Sequence, residues 1–437
     1  MIEELKGMKF IAFIVGVLIL GCNVADYRAN RVIELRLGLF AGSNWNVPQG
    51  ETYVIIDEVI ERFEKQHPNV KVTYVSGIKR EDYSEWLAEQ FLDDEEPDIF
   101  FVPAEDFNMY SSMGALMDLT RFFLLDGTFD PKDYYPSAYC YGLFEGKPYA
   151  LPRESVLTFM FVNKSLLARE GIAMPSNDWT WEDFLDICRK VTRDTDGDGQ
   201  PDQFGCYDYS WHQAVISNGL SLFREDGKTS YFASERMEET VKFMIELRNI
   251  HRNYEVSPKD FDMGRVAFRP FSFAEYRTYK PYPWRIKKYT LFDWDCLKMP
   301  AGVPDGNTSM LDTLLVGMSA RTNEPELAWS LLKALCYDKT TQEMILRKSQ
   351  ALPTRRDVVM SLEAQEIFQW NALENAAMTS TDISAVMDSA VMPPKFKGCA
   401  EAMLYADAEL TKIIRGEVPF SNALNRLQKE INARLQH

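Results

Sequence analysis

The densest chemistry in this sequence is Asp194-Thr-Asp196-Gly-Asp198-Gly-Gln200-Pro-Asp202, with acids at positions 1, 3, 5 and 9 and glycine at position 6 of an EF-hand-like loop. Hard oxygens around one tight turn suit Ca2+, so Asp194, Asp196, Asp198, Asp202 and the Gln200 carbonyl are the expected ligands of a structural calcium ion. Position 12, normally a bidentate Glu, is Gly205, so a further oxygen must come from elsewhere or from water. A single such loop suits a static ion better than a sensor.

Enzyme signatures are poor. The four histidines, His67, His212, His251 and His437, form no HExxH pair, which argues against a zinc hydrolase. Gly227-Lys228-Thr229 ends like a P-loop, but Leu222 stands where the upstream glycine is required, and no G-x-S-x-G elbow occurs. Paired carboxylates of a glycosidase carry no specificity among 65 acids. Against those 65 stand 48 Lys and Arg, for a net charge of -17, and no basic run exceeds two residues, so nucleic acid is not an expected ligand.

What remains is a set of aromatic residues beside hydrogen-bonding ones in loop-like segments: Asn44-Trp45, Glu105-Asp106, Arg153-Glu154, Trp211-His212 and Pro283-Trp284. A sugar ring offers C–H faces for stacking and hydroxyls for bidentate pairing, which is what such pairs serve. The candidate carbohydrate-binding residues are therefore Trp45, Trp211 and Trp284 as stacking platforms and Asn44, Glu105, Asp106, Arg153, Glu154, Asp312 and Arg355 as polar clamps.

At the N-terminus, residues 10 to 20 are apolar apart from Gly16, too short to span a bilayer, for which about 18 to 20 residues are needed. The run reads as a signal peptide, and its ending Ile19-Leu20-Gly21-Cys22 resembles the bacterial lipobox, with Cys22 the lipidated residue. The six other cysteines show no metal-ligand spacing; Cys188 and Cys336 fall on apolar helix faces, and mostly free thiols are expected.

These residues need a scaffold of 437 residues, 46% apolar and 13% aromatic, enough for real cores. Residues 35 to 40, 70 to 75 and 98 to 102 read as strands, and residues 51 to 66 and 80 to 92 as amphipathic helices between them, a βαβαβ start. Thr180-Trp-Glu-Asp183 is a capping box ahead of another helix, Asn323 is a candidate cap with Pro325 in the first turn, and Leu424, Leu427 and Ile431 mark the last helix. Residues 268 to 284 are too crowded with aromatic residues for a linker.

Several segments in order resemble the extracellular solute-binding proteins of bacterial ABC transporters, the sugar-type group called family 1. Gly146-Lys-Pro-Tyr149-Ala-Leu-Pro152 is similar to its G-K-x-Y-x-L-P segment, Asn163-Lys164-Ser-Leu to Y-N-K-x-L, Gly264-Arg265-Val-Ala267-Phe268 to G-x-x-A-M, Met299-Pro300-Ala-Gly302 to M-P-x-G, and Pro353-Thr354-Arg355 to x-P-x-R. Phe268 replaces the common Met, and Val162 the usual aromatic before Asn-Lys.

The resemblance implies an α/β periplasmic-binding-protein-like fold (type II): two α/β lobes, a ligand cleft and a hinge. Its expected division is 1–21 signal peptide, 22–32 tether, 33–151 plus 266–315 N-terminal lobe, and 152–265 plus 316–437 C-terminal lobe. The implied work is non-enzymatic capture of a sugar or oligosaccharide by a monomeric lipoprotein on the extracellular face of the cell membrane, with delivery to ABC permease subunits. A surface glycan-degrading enzyme and a solute-binding component of a sensing system are the competing readings.

Overall fold

The computed structural model describes residues 32–48, 52–224, 227–252, 254–279, 291–370, 378–396 and 398–436. The signal peptide, Cys22, most of the tether and Trp284 lie outside the described residues.

The described strands are β1 (Ile33–Gly38), β2 (Val70–Tyr74), β3 (Ile99–Val102), β4 (Leu143–Phe144), β5 (Lys147–Pro148), β6 (Ala150–Asn163), β7 (Phe204–Cys206), β8 (Val266–Ser272), β9 (Trp294–Leu297), β10 (Leu311–Met318) and β11 (Leu352–Pro353). The expected βαβαβ start is present: β2, β1 and β3 are parallel neighbours, connected through the helices Thr52–Gln66 and Arg80–Leu92. All four residues of β3 are buried, as a strand covered on both faces requires.

β10 then runs antiparallel to β3 and to the first half of β6. β6 is the strand that organises the molecule. Its residues up to Leu157 pair with β10 and β11, and from Thr158 onward it pairs with β8 and β9, with β7 parallel to β8 beyond. At about 3.3 Å per residue, its 14 residues reach about 46 Å, enough to serve two lobes. Side-chain alternation divides it between two cores: Phe159 and Phe161 belong to one, Met160 and Val162 to the other.

This pairing departs from the expected division. β8 and β9, grouped in sequence with the first lobe, complete the second half-sheet. Conversely, the helices Pro325–Cys336, Lys339–Lys348 and Ser380–Ser389, grouped with the second lobe, bury Leu331, Leu335, Leu346 and Val386 in the first core. Helices Trp181–Val191, Glu235–Ile250, Cys399–Ile414 and Ala423–Arg434 fill the second core. Chain continuity does not decide which half-sheet a segment completes; the available strand edge does.

Where the halves meet, three segments lie side by side. Leu157 of β6 pairs with Leu311 of β10, and Met310 bridges Val391, with Leu311 N donating to the Val391 carbonyl at 3.0 Å. Local signals hold well: Thr180 and Asp183 form the reciprocal cap, although Glu324 rather than Asn323 precedes the helix led by Pro325. All six described cysteines are free thiols, Cys188 and Cys336 fully buried.

Candidate functional site

In α/β lobes the loops after parallel strands gather at one end, where ligands bind. At that end of the first lobe the chain leaves β1 through residues 39–47 and β3 through 103–106, while Arg80 opens the helix after β2. Arg80 organises this wall. Its guanidinium donates to Asn44 Oδ1 at 2.9 Å and to Glu105 Oε1 at 2.8 Å, and lies over the Phe40 ring at 5.3 Å. Asp312, exposed on β10, accepts the Tyr141 hydroxyl at 3.0 Å. Desolvation pushes its pKa up, as it does for the half-buried Asp106, whose Oδ2 has no hydrogen-bond partner. Asn44, Glu105, Asp106 and Asp312 are thus brought to one place, around an arginine that sequence reading passed over.

Other candidates stand elsewhere. Trp45 is only 8% exposed, and its indole N–H donates to Glu154 Oε1 at 3.2 Å. Glu154 also accepts from Arg153 Nη1 at 3.0 Å and from the Ser349 hydroxyl at 2.9 Å. The structure therefore places Arg153 and Glu154 on β6 in the interior with Trp45 packed beside them, where the tryptophan presents no free face. Trp211 is likewise buried, its N–H on Asp407 Oδ1 at 2.9 Å and its ring stacked on His212 at 3.9 Å. Arg355 is held between Asp357 at 3.0 Å and Asp133 at 3.2 Å, with its guanidinium over the Tyr337 ring, apart from the Arg80 wall.

On the second lobe, a cavity of ≈ 450 Å³ opens between the helix Trp211–Ser217, residues 303–310 and the crossing segment 389–394. A smaller hollow sharing His212, Ile216, Thr308 and Met310 extends it to Thr158, where β6 changes lobes. The loop at 303–310 comes this close because residue 306 is glycine: a Cβ there would stand 2.3 Å from the Ser217 carbonyl oxygen. His212 lines both hollows, and burial lowers its pKa, opposed by Asp407.

Lys395 joins the two sides. Its ammonium is buried without a hydrogen-bond partner, 4.0 Å from the Tyr141 ring centre and 4.7 Å from that of Phe107, both in the first lobe. The next residue, Phe396, packs on Phe223 of the second core at 4.9 Å. Of the residues missed in sequence, Arg80 had a detectable signal, a cation in the first turn of the helix that follows β2. Tyr141, Lys395 and Met310 had none, since each matters only through a distant partner.

The acidic loop is partly as expected. Carboxylate oxygens of Asp194, Asp196 and Asp198 lie within 4.8 Å of one another, and Gly197 and Gly199 take the left-handed backbone the turn needs. The N–H groups of Gly199 and Gly197 hold the Asp194 carboxyl below its usual range. Asp202 does not join this cluster: its carboxylate accepts the Thr195 N–H and hydroxyl at 2.9 and 2.6 Å. Three converging carboxylates with the Gln200 carbonyl two residues on fit a Ca2+ ion, with Asp202 one step removed.

Comparison with known proteins adds to this geometry. The model of a family described as bacterial extracellular solute-binding protein matches residues 48–336. An uncharacterised ABC transporter extracellular-binding protein of Pyrococcus horikoshii is 28% identical over 138 residues, which span 31% of this chain and only 30% of that protein. An ABC substrate-binding protein from Listeria monocytogenes, solved in complex with cycloalternan, superposes with a TM-score of 0.68 at 22% identity, over 92% of this chain and 99% of its own. The cyclic alpha-maltosyl-1,6-maltose binding protein from Arthrobacter globiformis superposes with a TM-score of 0.76 at 16% identity, over 92% and 99%. Both likenesses are of fold: two α/β lobes joined by crossing segments.

Proposed function

Since the chain belongs to the bacterial extracellular solute-binding protein family, we propose that it captures a carbohydrate between its lobes and delivers it to an ABC importer. One observation carries the reading: the wall where Arg80 holds Asn44 and Glu105 beside the Tyr141–Asp312 pair, close to the segments that join the lobes. Planar carboxylates, an amide and a guanidinium in fixed positions match vicinal hydroxyls, and closure about the crossings would desolvate both. Of the two solved proteins of like fold, one was solved in complex with cycloalternan and the other is named for cyclic alpha-maltosyl-1,6-maltose, which supports a sugar as the solute.

Calorimetric titration against a panel of neutral oligosaccharides tests this. At least one should bind, and Arg80→Ala should weaken it by about 1.5–3 kcal/mol, the range of a hydrogen bond to a charged group. A panel without binders, or a hit that Arg80→Ala and Asp312→Asn both bind as the parent does, would sink the reading.

The same reading places a monomer outside the membrane, held by a lipid on Cys22 near its permease; an unmodified Cys22 in the mass spectrum of the exported protein would contradict the anchor. No helix among the described residues is long and apolar enough to cross a membrane. We also propose Ca2+ on Asp194, Asp196, Asp198 and the Gln200 carbonyl. Ca2+ at about 100 times its dissociation constant should stabilise the metal-stripped protein by about 2.7 kcal/mol by mass action. Asp194→Ala should abolish the effect; a melting temperature indifferent to Ca2+ in the parent means a solvated acidic turn only.

A further inference from the structure

The cavity on the second lobe is poorly suited to a bare sugar. Val215, Leu220, Val303, Met310, Met392 and Met403 form much of its wall, and His212 is the only aromatic ring among the described residues that line it. A pyranose would find there only that imidazole, one face of which the Trp211 ring already covers. Of the polar side chains on the cavity wall, Thr308 Oγ1 already donates to the Ser389 carbonyl at 2.9 Å and accepts from the Ser389 hydroxyl at 3.1 Å, and the Ser221 hydroxyl donates to the Phe223 carbonyl at 2.9 Å, which leaves chiefly Asp305 and His212 to meet a sugar hydroxyl. Hydroxyls buried away from those two would stay unpaired, which opposes binding. Apolar surface, by contrast, gains in proportion to the area removed from water, and methionines adapt their shape to what they enclose.

Position supplies the second half of the argument. Met310 belongs to the cavity wall, and Asp312, two residues on, belongs to the polar wall of the first lobe. One solute can therefore reach both. We propose that the cavity takes an apolar substituent of the captured solute, an alkyl, acyl or aryl group, so that the ligand is a glycoconjugate whose sugar part meets the Arg80 wall. This rests on the carbohydrate reading above.

The test uses the full mature chain with 13C-methyl methionine, titrated with n-octyl β-D-glucoside below its micelle concentration, with 1-octanol, and with methyl β-D-glucoside. The two octyl probes should shift the Met310, Met392 and Met403 methyl signals saturably, and methyl β-D-glucoside should leave them in place. Met403→Glu should weaken octyl glucoside at least tenfold while the signals of Met160 and Met237, buried in the second core, show the fold intact. The proposal is overturned if the octyl probes leave the three methyls unmoved, if methyl glucoside moves them equally, or if Met403→Glu binds as the parent does. A plain oligosaccharide that binds in an Arg80-dependent way without moving those methyls leaves carbohydrate capture standing and overturns only the apolar substituent.

Discussion

Glu154→Ala should lower the unfolding free energy by about 3–5 kcal/mol, the cost of leaving a buried charge without its partner. Arg153 is 1% exposed and Glu154 4%, and their 3.0 Å contact lies on the strand shared by both lobes. Nε and Nη2 of Arg153 have no hydrogen-bond partner, so with Glu154 gone the guanidinium keeps chiefly the Phe101 ring, 5.6 Å away. Trp45 and Ser349 would lose their acceptor as well. Replacing both charges, as Arg153→Met with Glu154→Leu, should recover part of the loss, because an apolar pair of comparable volume removes the desolvation problem while Trp45 and Ser349 stay without their acceptor. Urea midpoints at constant slope decide it; a single-variant loss below about 1 kcal/mol would show that water reaches the pair.

Lys395→Met should stabilise the protein by about 1–4 kcal/mol below pH 7, and this gain should vanish in alkali. Burial pushes the Lys395 pKa down from 10.5 to about 7. A base whose folded pKa is depressed carries its full penalty below the folded value, where both states are protonated. Between about pH 7 and 10.5 the unfolded chain binds the extra proton, so parent stability rises with pH across that window relative to the methionine variant, and above it both lysines are neutral. The faces of Tyr141 and Phe107 offset part of the penalty, which keeps the expected gain below the full shift. Melts of the two proteins that stay parallel from pH 6 to 10 would show that the ammonium is solvated. Since Lys395 and Phe396 anchor in opposite lobes, the same substitution tests whether this crossing restrains lobe motion.

Much of the scaffold was legible because its signals are local. The reciprocal Thr180–Asp183 cap needs two residues three apart, and the helices Thr52–Gln66 and Arg80–Leu92 need only apolar residues at helical spacing. The site was legible in part. Asn44, Glu105, Asp106 and Asp312 were singled out as polar groups near strand ends and do gather, but their organiser, Arg80, lies 36 residues from Asn44 and 25 from Glu105. The tryptophans misled for a physical reason: an indole beside polar residues describes a sugar platform and a core ring with a buried N–H partner equally well. Trp45 and Trp211 are of the second kind, with partners 109 and 196 residues away.

By itself, then, the sequence determined the α/β character, the parallel opening of the first sheet, the capped helices, the buried free thiols and the tight acidic turn, all products of forces acting over a few residues. Tertiary structure alone decided that β6 serves both half-sheets, that β8 and β9 complete the second and the helices from Pro325 to Ser389 the first, and that an apolar cavity sits next to a polar wall. Those outcomes depend on which strand edges and apolar faces meet across long separations, such as the 171 residues between Tyr141 and Asp312. No periodicity along the chain encodes that choice, because it is made by the free energy of the assembled core.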